Sequence, residues 1–304
     1  MQSFQRHGIF FEQIMESENL TFDEVIAEYF KFHQHKKTLD RDKCSLQRLK
    51  PFFSGKRIVE IKKIDVLTYR LNRKAAVATI NKEVGLLNIA INWYNDAHET
   101  NLPNPAKGTR KPENNERTRW LTEQEYEQLL FSAGQEPKVK HYLPAFIEIA
   151  VHTGMRKAEI MGLTWTELDL NQKIIYLNPR RTKNGKKRTI PLNQHAQSAL
   201  LHLLEWQRQN DINSHYVFAK KTGERIGDLD KSFNTAVRRA QLRDVHIHDL
   251  RRTCASWLVQ RSVPITEVAA LLGHSDIEMT YKRYAHLNIN DMGRVVKALE
   301  KACK

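Results

Sequence analysis

Along most of the chain apolar residues recur at intervals of three and four, the period of an amphipathic helix. Val25, Ile26, Tyr29 and Phe30 form the first such stripe. Ahead of it, Thr21 and Glu24 have capping-box spacing, and Leu20 with Val25 that of a hydrophobic staple. Leu46, Leu49, Phe52 and Phe53 predict a second helix over about 40–53, whose polar side carries Arg41, Lys43, Arg48 and Lys50. A third is expected near 64–73. A fourth starts at Thr79, with Ile80, Val84, Leu87, Ile91 and Tyr94 on one stripe facing a core. After a mixed leader over 1–19, residues 20–105 therefore read as a helical bundle.

Residues 101–119, NLPNPAKGTRKPENNERTR, hold three prolines, a glycine and many charges. This composition marks a boundary, with 106–119 as a basic linker and 120–304 as a second domain. Thr122 and Glu125 repeat the capping-box spacing. An apolar helix is expected over His141 to His152, broken by Gly154, with a new helix near Lys157. The period changes over 173–192. Ile174 to Leu177 and Arg188 to Leu192 predict two strands joined by a turn at Asn184-Gly185, a basic hairpin carrying Lys183 and Lys186 to Arg188. Further helices are expected at about 194–209, 228–241, 249–260 and 265–272, the last stopped by Gly273. Met292, Val295, Val296 and Leu299 predict a short tail helix. The fold class is mainly α with a small antiparallel β-sheet.

Composition narrows the choice of partner. The 304 residues can bury cores for two domains. Hydrophobic content of 40% with 28% charged residues suits a folded chain rather than a disordered one. A formal charge of +14 points to a polyanion, with nucleic acid ahead of a membrane surface. No run of about 18 apolar residues suggests a membrane span. Cys44, Cys254 and Cys303 lie far apart with no CxxC, which suggests neither a zinc site nor a disulfide framework. A reduced, cytoplasmic setting is expected.

The stretch from His248 to Tyr284 carries the densest chemistry. It reads HDLRRTCASW and then LLGHSDIEMTYKRYAHL. Guanidinium groups present a fixed fork of donors that matches phosphate oxygens. Imidazole moves protons near neutral pH. A phenol becomes a nucleophile once its proton is removed. These motifs, with TGMRKAEI and TKNG upstream, resemble those of the tyrosine recombinase (phage integrase) family. The resemblance implies a helical SAM-like core-binding domain before a catalytic domain, and cleavage and rejoining of DNA through a 3′-phosphotyrosine. It carries over Arg156 and Arg251 as clamps on the scissile phosphate, with Glu159 orienting the site. Lys183 is implied as acid for the leaving 5′-hydroxyl and His248 as proton acceptor. His274 is implied as a donor to a non-bridging oxygen and Tyr284 as nucleophile.

The His274–Tyr284 interval is one residue longer than the family's usual spacing, so Tyr281 is a rival. No metal, cofactor or ATP is implied. The implied partners are double-stranded DNA at a recombination site and a homo-tetramer on that DNA, with room for a DNA-bending accessory protein. A prophage or mobile-element integrase is the leading reading. A chromosome-dimer resolvase, a type IB topoisomerase-like enzyme and a DNA-binding protein without chemistry are the alternatives.

Overall fold

The computed structural model describes residues 19–113, 117–179, 187–274 and 276–284. The chain divides into two compact units, Met1–Asn115 and Glu116–Lys304.

The first unit contains α1 (Phe22–Phe32), α2 (Leu39–Phe53), α3 (Lys63–Asn72) and α4 (Val77–His98). Thr21 caps α1, its hydroxyl accepting from the Glu24 N–H while the Glu24 carboxylate accepts from the Thr21 N–H. Phe22, Val25, Ile26 and Tyr29 pack against Leu49, Phe53, Val66, Tyr69, Leu87 and Ile91. Phe30 is only half-buried and Phe52 is exposed. A charged network is built into this core. The Tyr69 hydroxyl donates to Glu83 at 2.7 Å, and Arg73 pairs with the same carboxylate at 2.9 Å. Asn81 donates to the Lys111 carbonyl, and Leu102, Ala106 and Thr109 are buried in this unit. The proline-rich stretch thus continues the bundle's packing as far as Thr109.

The second unit is arranged around α6 (Leu143–Thr153), whose residues are nearly all buried. Around it lie α5 (Glu123–Gly134), α7 (Lys157–Met161), α8 (Gln194–Gln209), α9 (Asp230–Arg239), α10 (Ile247–Gln260), α11 (Ile265–Leu272) and α12 (Ile277–Tyr284). The helix expected from His141 starts at Leu143, with Pro144 in its first turn where no N–H is required. The sheet has three antiparallel strands, β1 (Leu168–Asp169), β2 (Ile174–Leu177) and β3 (Arg188–Pro191), in that order. Ile175 lies opposite both Leu168 and Ile190. Ile175, Leu177 and Ile190 turn into the core while Tyr176 and Thr189 face outward. The expected Asn184-Gly185 turn, the tail helix near 292–299 and the leader as far as residue 18 lie outside the described residues.

Candidate active site

Two left-handed glycines shape the centre of the second unit. Gly154 ends α6 at φ +63°, and a Cβ there would lie 2.6 Å from the Leu272 side chain and 3.2 Å from Cys254 Sγ. Gly273 ends α11 at φ +65°, and a Cβ there would lie 2.3 Å from Arg188 Nη1. Both positions require φ > 0 and close approach, which only glycine meets without strain. After Gly273, the His274 N–H returns to the Ala269 carbonyl, closing a Schellman turn that fixes the imidazole's base.

Four charged side chains and two carbonyls form a closed circuit here. Arg156 Nη1 donates to Glu159 Oε1 at 2.9 Å, and the Arg156 N–H donates to Oε2 at 2.9 Å. Arg188 Nη2 donates to Glu159 Oε2 at 3.0 Å, and its Nη1 donates to the Leu272 carbonyl. Arg251 Nη2 shares that carbonyl at 2.7 Å, and its Nη1 donates to the Gly154 carbonyl at 2.6 Å. Gly154 returns through Met155 to Arg156. The circuit holds three guanidiniums to one carboxylate, two of them paired with it, and Glu159 and Arg251 are buried. Burial, followed by repulsion from Arg156 and Arg188, pushes Arg251 down to about 10. Burial and the charge of Arg156 likewise lower Arg188. The pocket carries an excess of positive charge that an anion would relieve.

The remaining groups adjoin this circuit. His274 Nδ1 lies 2.6 Å from Thr280 Oγ1, and Thr280 is fully buried on α12. Burial, then the charges of Arg251 and Arg156, depress His274 to about 4. His248 stands exposed in the first turn of α10. Crowding by the surrounding protein, then repulsion from Arg252 and Arg251, sets it at about 4 as well. Both imidazoles are therefore neutral at pH 7. Tyr284, one turn beyond Thr280 on the same face of α12, is 5% exposed and packs among Ala255, Val259, Val268 and Leu272. Burial raises its phenol, while Arg283, Arg252 and Arg251 pull the other way. Tyr281 is 60% exposed. The structure thus joins Arg156 and Arg251 in one circuit with His274 on the turn beside it, and places His248 and Tyr284 within electrostatic reach of Arg251; Lys183 lies outside the described residues.

Sequence reasoning passed over three supporting residues. Arg188 reads from sequence only as one charge of a basic hairpin. Thr280 fixes His274. Asp249, fully buried, accepts from Arg117 at 2.9 Å, from Arg252 at 2.7 Å and from the His246 N–H at 2.8 Å. The interval of three from His246 to Asp249, at a helix start, was the available signal.

Among the described residues one cluster has metal-ligand chemistry, Glu148, His152 and His195. Its hydrogen bonds oppose that use. Asn193 Oδ1 accepts from the Ala196 N–H as the α8 cap, so Nδ2 must donate to His152 Nδ1 at 2.8 Å. The ring proton then sits on Nε2, the atom facing Glu148, where a metal would need a lone pair.

The phage integrase family model matches residues 119–291, more than half of the chain. The chain belongs to the phage integrase family. This is the family of tyrosine recombinases, whose members cleave and rejoin DNA. The integrase of Salmonella phage P22 is 27% identical over 318 aligned positions, covering 91% of this chain and 79% of that protein. The shufflon-specific DNA recombinase of Escherichia coli is 30% identical, covering 75% of this chain and 58% of its own length. A XerC tyrosine recombinase from Xanthomonas axonopodis is 32% identical, covering 51% of this chain and 50% of its own length. Among solved structures, the Tn1549 transposon integrase in complex with a circular intermediate DNA superposes with TM-score 0.75 at 20% identity. It covers 92% of this chain and 99% of that one. The lambda integrase tetramer bound to a Holliday junction gives 0.71 at 20% identity, covering 88% and 78% respectively. These likenesses establish the integrase fold. No helix among the described residues is long and apolar enough to cross a membrane.

Proposed function

We propose that this integrase-family chain is a site-specific recombinase that integrates or excises a mobile element through a covalent 3′-phosphotyrosine on Tyr284. The observation that carries the reading is the convergence of Arg156, Arg188 and Arg251 on one hydrogen-bonded circuit whose single described carboxylate is Glu159, held by Arg156 and Arg188 while Arg251 holds the Leu272 and Gly154 carbonyls. A phosphodiester, and still more its pentacoordinate transition state, supplies the missing negative charge. Arg156 and Arg251 hold the non-bridging oxygens from two directions. With the Thr280 hydroxyl donating to His274 Nδ1, the proton sits on Nε2, which donates to a non-bridging oxygen.

His248, neutral at pH 7, takes the phenol proton as the Tyr284 oxygen bonds to phosphorus. The bond to the 5′-oxygen breaks, and Lys183 supplies the proton that oxygen needs. Attack by the 5′-hydroxyl of a partner strand reverses the step, so the ester conserves the bond energy. Because Tyr284 is buried, α12 shifts when DNA is engaged. The placement of Thr280 and Tyr284 on the inward face, with Tyr281 60% exposed, supports Tyr284 over Tyr281 despite the longer spacing. Core-binding contacts by residues 20–105, a basic linker over 106–119, a tetramer on DNA and a cytoplasmic setting belong to the same reading. The alignment with the phage P22 integrase over 91% of this chain favours an integrase over a resolvase.

The test is a nicked duplex bearing the recombination site, identified from DNA junctions the purified protein makes, resolved on a denaturing gel. A protein–DNA adduct is expected with the parent and Tyr281→Phe and absent with Tyr284→Phe. An adduct that survives Tyr284→Phe and disappears with Tyr281→Phe overturns the assignment.

A further inference from the structure

We propose that Arg188 is a positioning residue for DNA cleavage, the strut that sets the two phosphate-holding arginines and the His274 turn in mutual register. The inference rests on the assignment of Arg156, Arg251 and His274 to the scissile phosphate. It concerns a side chain that neither the family resemblance nor any motif assigns.

Arg188 is the point where three elements meet. It belongs to β3, where it pairs with Leu177 at the foot of the hairpin, and its side chain is 12% exposed. Through Nη2 it holds Oε2 of Glu159, whose other oxygen holds Arg156. Through Nη1 it holds the Leu272 carbonyl, which also accepts from Arg251. Its guanidinium passes over Gly273, the residue that turns the chain into His274. Removing it leaves Glu159 free to follow Arg156 and leaves Leu272 tied only to Arg251. The α7 and α11 sides of the pocket then lose their only described side-chain link through β3.

The planar fork suits this role, since two acceptors lie at fixed angles to it. An ammonium is a point charge and cannot hold both in the same geometry. Arg188 donates to protein acceptors through both terminal nitrogens, so it acts through the clamps rather than on the phosphate.

The experiment uses the full chain and the nicked duplex described above, under single turnover at saturating DNA. Arg188→Met and Arg188→Lys are compared with the parent, and Tyr284→Phe serves as the reference for chemistry. Misplacing the clamps by about 1 Å should lower the rate of adduct formation on the order of 10²-fold, in both variants. The final adduct yield and the apparent Kd for the duplex should stay close to the parent's. A merely structural role lowers the yield, through the fraction folded, and leaves the rate of the folded fraction alone. That result overturns the proposal, as does a parental rate in Arg188→Lys or a weakened Kd with an unchanged rate at saturation. If Arg188→Met fails to fold, Arg188→Lys, which keeps the buried positive charge, decides alone. A parent that forms no Tyr284-dependent adduct instead removes the underlying functional reading, an outcome separate from failure of the strut.

Discussion

Gly273→Ala is the sharpest perturbation the structure offers. At φ +65° an L-residue is disfavoured by about 1–2 kcal/mol. The new methyl would sit 2.3 Å from Arg188 Nη1 and 2.7 Å from its Cδ, so the guanidinium has to leave. Leaving forfeits a charge-assisted hydrogen bond to Glu159 and another to Leu272, each worth about 1.5–3 kcal/mol. Part of that is regained wherever Arg188 finds water. Lower unfolded-state entropy of alanine returns about 0.4–1 kcal/mol. The net expected loss is about 3–5 kcal/mol. For a unit of this size each kcal/mol moves Tm by about 2–4 °C, so calorimetry should show a fall of about 6–20 °C. The clash term can be isolated. In an Arg188→Ala background the three atoms nearest the new methyl are gone, and the same substitution should cost chiefly the backbone term of about 1–2 kcal/mol. Equal losses in both backgrounds, or a loss in the parent below about 1 kcal/mol, would refute the account of Arg188 as a fixed obstacle.

Other expectations follow from the same geometry. Gly85 lies inside α4 with nothing within 4 Å of a would-be Cβ, so Gly85→Ala should stabilise by about 0.5–1 kcal/mol, read as a shift in urea midpoint. Asp249→Asn breaks a fully buried carboxylate away from Arg117 and Arg252 and should cost about 3–5 kcal/mol; near-neutral behaviour in denaturant titration would contradict the pairing. His141, His152 and His274 all sit at about 4, pushed down first by burial, so the unfolded chain binds protons below about 6.5 that the folded chain refuses. Their contribution is therefore fully present above about pH 6.5 and lost as pH falls towards 4. Urea midpoints that rise on acidification through that window would reverse this sign. Asn193→Asp keeps the α8 cap but accepts a proton from His152 Nδ1, freeing Nε2, so Zn²⁺ binding at Glu148, His152 and His195 should tighten by calorimetric titration; a parent that binds equally well would disprove the tautomer argument.

Local chemistry was legible where it is local. The capping boxes at Thr21 and Thr122, the apolar stripes of α1 and α4, and the glycine stops at Gly154 and Gly273 depend on residues within a few positions of one another. The mainly helical architecture with a small antiparallel sheet followed from those signals. β1 did not, because a two-residue strand exists only through its pairing with β2. From sequence Arg188 reads as one charge in a basic hairpin, since arginine in a strand normally faces water. Strand alternation held the contrary signal: Arg188 shares a face with buried Ile190, while Thr189 points out. What the period could not supply was the carboxylate 29 positions away that makes a buried guanidinium tolerable there. Thr280 is silent for a related reason, because its partner His274 lies outside its helix, and of the partners of Asp249 only Arg117 comes from a distant element.

The thiol that backs onto Gly154 gives the protein a built-in clock. Cys254 is buried, and burial raises its thiol to about 12, so almost none of the reactive thiolate exists at neutral pH. Cys44 lies in the open. An alkylating reagent should therefore tag Cys44 at once and reach Cys254 only in the moments when α10 parts from the end of α6. The lag between the Cys44 and Cys254 tags, separated from Cys303 by peptide mapping, measures how often the floor beneath the arginine circuit breathes, and a bound duplex that pins that floor should lengthen it.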